Sequence, residues 1–163
     1  MTPTPTPSQT VGPFYSIGLC RKAADELVPP TDPGAVPLTG RLLDGDGEPV
    51  GDGMVELWDA VGGRWARSGT HPAGTFSFVV AKPAPARCVA PHFEVYVFAR
   101  GLLEHRLTRI YFPDEVAANA ADPVLSSLDE ADRARLVAEP DDGGGLRFDI
   151  HLQGDLETIF FSA

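Results

Sequence analysis

Short segments of alternating apolar and polar residues, each closed by glycine, proline or aspartate, recur from residue 37 onward and constrain the fold more than any other feature. A period of two puts one set of side chains on each face of the backbone, so each segment reads as a half-buried strand. Residues 37–43 alternate and end in the turn Asp44-Gly45-Asp46-Gly47. Residues 54–58 alternate again and stop at Gly62-Gly63, and residues 75–80 stop at Lys82-Pro83. In 93–99, Phe93, Val95, Val97 and Ala99 share one face while Glu94, Tyr96 and Phe98 share the other. Residues 106–112 and 146–153 make a fifth and a sixth strand, and 158–161 a short seventh. Such a succession predicts an all-β fold, an antiparallel β-sandwich.

One stretch breaks the pattern before the last strands. Ala117-Ala118-Asn119-Ala120-Ala121 favours helix, and Ser126 or Ser127 is placed to cap a second helix over 128–137. Asp129 and Glu130 at its start and Arg133 and Arg135 near its end suit the helix dipole. A short excursion of two helices is therefore expected, in one domain spanning 1–163 without internal repeats. Residues 1–15 read as an extended N-terminal arm. Its alternating prolines forbid helix, and it ends in Gly12-Pro13-Phe14-Tyr15, whose aromatic area seeks a surface.

Composition narrows the function. A chain of 163 residues, 43% hydrophobic, buries roughly two thirds of its unfolded surface and needs no staples. The 23 acidic and 13 basic residues give a net charge of -10, which repels phosphate backbones and anionic membranes. No nucleic-acid or membrane partner is expected. Cys20 and Cys88 form no disulfide framework or zinc pattern, and no basic-apolar leader precedes the arm, so the expected location is cytoplasmic.

Residues alone leave the chemistry open. Of His71, His92, His105 and His151, only His92 has a ligand type two positions on, Glu94. That pair either begins a metal site or is an ordinary strand start. Asp44, Asp46 and Glu48 suggest calcium, but the spacing is that of a hairpin turn. No nucleophile elbow or phosphate loop occurs. Arg100, at a strand end beside Gly101, and Arg109, in an apolar strand, are either paired with acids or aimed at a carboxylate.

Read together, the motifs resemble the intradiol ring-cleavage dioxygenases. The stretch Thr6-Pro7-Ser8-Gln9-Thr10-Val11-Gly12-Pro13-Phe14-Tyr15 is similar to that family's amino-terminal motif. Leu38-Thr39-Gly40, Val55-Glu56-Leu57-Trp58, Ala90-Pro91-His92-Phe93-Glu94, Phe98-Ala99-Arg100-Gly101, Leu107-Thr108-Arg109-Ile110-Tyr111-Phe112 and Glu157-Thr158-Ile159-Phe160-Phe161 follow in the family's order. Within the family the chain most resembles the non-iron alpha chain of its two-chain enzymes. There a beta subunit holds Fe(III) through two tyrosines and a His-x-His pair. Here the second histidine is Glu94, and the tyrosine-bearing segments, 62–69 and 82–87, contain no tyrosine.

The resemblance thus implies no catalytic residue, metal or cofactor in this chain. The implied partner is an iron-binding beta subunit in a higher hetero-oligomer, and the implied substrate is the aromatic acid protocatechuate. The residues lent to the shared pocket would be Thr10, Gly12, Pro13, Phe14, Tyr15 and Arg100. A stand-alone binding or carrier sandwich, and an independent metalloenzyme built on His92 and Glu94, remain as alternatives.

Overall fold

The computed structural model describes residues 4–70 and 72–162; His71 and the first three residues of the arm lie outside them. A short helix α1 (Tyr15–Leu19) ends the arm. The strands β1 (Val36–Leu43), β2 (Met54–Asp59), β3 (Arg64–Gly69), β4 (Thr75–Val80), β5 (His92–Phe98) and β6 (Arg106–Tyr111) follow. Helices α2 (Val116–Ala121), α3 (Pro123–Ser126) and α4 (Glu130–Ala134) come next. Three two-residue strands complete the order: β7 (Glu139–Pro140), β8 (Leu146–Arg147) and β9 (Ile150–His151).

Two sheets face each other. One has the order β4-β1-β8-β7, with β9 also on β1, and the other β3-β2-β5-β6. The second is antiparallel throughout. The first is mixed, because β8 and β9 run parallel to β1, so strict antiparallel pairing holds for one sheet only. Leu38, Leu42, Phe76, Phe78 and Val80 from one sheet meet Val55, Leu57, Phe93, Val95, Val97 and Ile110 from the other, all buried. The face anticipated for β5 is the inward one.

The sequence and the structure differ at four places. First, residues 64–69 form β3, paired residue by residue with β2, where no strand was anticipated. Asp59, fully buried, closes that hairpin. Its carboxylate accepts from the amides of Val61 (3.1 Å) and Gly62 (2.8 Å) and from Arg64 (2.7 Å). Second, the strand expected over 146–153 is broken at Phe148 and Asp149. Gly40 on β1 lets the Phe148 carbonyl come so close that a Cβ there would lie 1.9 Å from it.

Third, residues 158–161 make a single bridge, Leu107 to Phe161, rather than a strand. Fourth, the excursion holds three helices. Pro123 starts α3 and holds Asp122 before it extended, which splits the helical stretch. Asp122 and Asp129 cap α3 and α4 instead of Ser126 or Ser127. Ser126 is the last residue of α3 and Ser127 is its C-cap, so neither stands at the start of a helix.

Candidate functional site

The arm is fastened to the C-terminal end of β5. Thr10 Oγ1 accepts a hydrogen bond from the Gly101 amide at 2.7 Å. Five residues later the Tyr15 hydroxyl lies 2.7 Å from the Asp52 carbonyl and 2.9 Å from that of Phe98, and donates between them. Burial, and then the nearby Asp52 and Cys20, push the Tyr15 phenol far above its ordinary pKa, so it remains a donor. The two fastenings bracket Arg100, which sits on the turn leaving β5. Gly101 adopts φ +93°, a conformation that favours glycine, and so turns the chain immediately after the arginine.

Of the residues singled out from the sequence, Thr10, Tyr15 and Arg100 are thus brought together. Gly12, Pro13 and Phe14 span the gap between the fastenings. Pro13 is exposed, the space around Gly12 is open, and Phe14 is 75% exposed. Tyr15 is turned inward to its own chain, and Phe14 is the aromatic directed outward. Beside the arm lies a cleft of about 480 Å³ lined by Gln9, Val11, Phe98, Leu102, Leu103 and His105.

Asp52 was missed. Its carboxylate stands 3.4 Å from Arg100, and both side chains are about half exposed. In sequence it is one of several aspartates between glycines, which read only as turns.

The His92 locus is a different kind of place. His92 Nδ1 lies 2.8 Å from the Ala90 carbonyl, and the ring packs on Tyr111 with centroids 5.1 Å apart. Burial holds the imidazole below its usual pKa, while the Ala90 hydrogen bond opposes the shift. The Tyr111 hydroxyl donates to Asp122 at 3.3 Å and accepts from Arg109 at 3.2 Å. Arg109 also lies over the Phe161 ring at 5.5 Å. It therefore serves packing in a side-chain network rather than an exposed anion.

The donors around His92 do not fit a ferric phenolate centre. Only about 20 Å³ remains beside His92 and Glu94, walled by Trp58, Ala60, Val61, Pro83, Ala84 and Ala86. Residues 64–69 are committed to β3, with Trp65 outward and no phenol among them. Among the described residues no three metal-ligating side chains cluster. Asp44 is likewise occupied, its Oδ1 accepting from the amides of Asp46 (3.0 Å) and Glu48 (2.9 Å), which makes the turn rather than a calcium loop.

No protein-family model matches the chain. Among curated proteins it is similar to the protocatechuate 3,4-dioxygenase alpha chain of Burkholderia cepacia, with 41% identity covering 96% of each chain. The beta chain of the same enzyme from that organism is 28% identical over 72% of this chain and 63% of its own. Among solved structures, the dioxygenase domain of a carbohydrate-binding fusion protein from Streptomyces sp. SirexAA-E superposes with a TM-score of 0.63. It covers 93% of this chain and 99% of its own at 24% identity, a likeness of fold.

Proposed function

From the premise that the chain belongs to the protocatechuate 3,4-dioxygenase alpha-chain family of intradiol dioxygenases, we propose that it completes the substrate pocket of an iron-bearing beta subunit. The reaction is oxidative cleavage of protocatechuate between its two hydroxyl-bearing carbons. Both atoms of dioxygen enter the product, carboxy-cis,cis-muconate. The beta subunit carries Fe(III) and supplies the redox chemistry.

This chain's residues bind and enclose. Arg100 is the counter-charge for the ring carboxylate, and the arm segment from Thr10 to Tyr15, with Phe14 outward, is the wall that meets the partner. The observation that supports the reading most is the double fastening of the arm around Arg100. It preorders a half-open edge before any partner arrives, which limits the entropy lost on docking. The stand-alone carrier is not favoured, since the relatives are enzyme subunits. We place residues 1–163 in one sandwich unit, within a cytoplasmic higher hetero-oligomer. No helix among the described residues is long and apolar enough to cross a membrane.

The test is the assembled alpha-beta enzyme carrying Arg100→Ala. Loss of a charge-assisted contact costs about 1.5–3 kcal/mol. The KM for protocatechuate should therefore rise roughly tenfold to a hundredfold, with iron content unchanged. Unaltered kinetics, loss of iron from the variant, or ring opening by this chain alone would overturn the reading.

A further inference from the structure

Asp52 sits on a turn that leaves it little freedom. Gly51 and Gly53 flank it, and a Cβ at Gly51 would lie 2.5 Å from the Pro72 carbonyl. The Gly53 amide donates to Thr70 Oγ1 at 2.8 Å, and the Thr70 amide donates back to the Gly53 carbonyl at 3.1 Å. The Asp52 carbonyl is one of the two acceptors for Tyr15. The backbone is thus held from both sides, while the side chain is free to face Arg100.

The pair it makes there is loose. The separation of 3.4 Å exceeds that of a tight charge-assisted bond, roughly 2.7–2.9 Å. Among the described residues, Asp52 is the only side chain or carbonyl that accepts from the Arg100 guanidinium. A ligand carboxylate arriving at Arg100 therefore meets a resident anion. Two carboxylates on one guanidinium repel each other, so the second binds more weakly than it would to a bare cation.

We infer that Asp52 tunes the pocket's affinity for carboxylated ligands, its carboxylate competing with theirs for Arg100. The inference rests on the reading of Arg100 given above. The competition costs some substrate affinity. It also helps to displace the product, which keeps the ring carboxylate, because Asp52 returns to Arg100 as that carboxylate leaves. A neutral catechol presents nothing for Asp52 to compete with.

The experiment compares the wild-type alpha-beta enzyme with Asp52→Asn and Asp52→Ala, by anaerobic titration with protocatechuate and with catechol. Asn is nearly isosteric, and Tyr15 bonds the backbone, so the fastening survives either change. At low salt both variants should bind protocatechuate about two- to fivefold more tightly, the scale of a half-exposed ion pair. The gain should fade as salt screens it, and catechol binding should not change. Unchanged or weaker protocatechuate binding, or an equal gain for catechol, overturns the inference. Arg100→Ala separates the two readings. If it leaves protocatechuate binding intact, both fail. If it weakens protocatechuate binding while the Asp52 variants stay inert, only the role of Asp52 fails.

Discussion

Replacing Asp122 by asparagine should unfold this chain at a markedly lower temperature without touching its contribution to the pocket. Asp122 is 1% exposed, and four donors converge on its two oxygens. The amides of Val124 (2.9 Å) and Leu125 (3.1 Å) and the Tyr111 hydroxyl (3.3 Å) reach Oδ1, and the Ala90 amide (2.9 Å) reaches Oδ2. Asparagine has one acceptor oxygen. If that oxygen stays on α3, its NH2 group faces the Ala90 amide, donor against donor. One hydrogen bond is lost, about 1 kcal/mol, and one buried amide is left unsatisfied, a further ~1–3 kcal/mol. At roughly 2–4 °C per kcal/mol for a chain of this size, Tm should fall by about 5–15 °C. Calorimetry of the assembled enzyme measures the shift, and turnover at 20 °C should match the wild type. A fall under about 2 °C refutes the accounting of donors. Lost turnover at unchanged Tm would refute the assignment of this network to the fold.

Two further outcomes follow from geometry already described. Tyr15→Phe removes the donor shared by the Asp52 and Phe98 carbonyls, about 1 kcal/mol. Hydrogen exchange of the Gly101 amide, protected by Thr10 on the same arm, should then quicken about fivefold. His92 is half-buried, and desolvation holds its pKa below the ordinary 6.5, so the unfolded chain takes up its proton first as pH falls. The resulting stability is present above about pH 6.5 and is lost as pH falls through the folded value. His92→Asn should flatten that segment of a urea-midpoint profile against pH, and an identical slope in wild type and variant would contradict it.

The inward alternation of 93–99 was legible because every second residue, Phe93, Val95, Val97 and Ala99, is apolar and turned inward. The β3 strand was not. Its inward residues are Ala66 and Ser68 and its outward ones include Trp65, so small polar and large apolar side chains occupy the faces opposite to habit. The break at Phe148 was equally hidden. Residues 146, 148, 150 and 152 alternate well, and the break depends on β1, where Gly40 has no side chain to keep the Phe148 carbonyl away and the Arg41 amide donates to the Asp149 carboxylate. At the candidate site, Thr10, Tyr15 and Arg100 were singled out through motif resemblance, and the fold brings them to one edge. Asp52 carried no such signal, because its partner lies 48 positions away and appears only once β2 and β5 are paired.

The edge that carries Arg100 is built from three stretches far apart in the sequence: 10–15, 51–53 and 98–101. Its ligand preference is consequently not portable as a single cassette. A chimera that exchanges the first fifteen residues with those of a relative inherits foreign anchor points, whereas one exchanging all three stretches moves the arginine, its competitor and both clasps together.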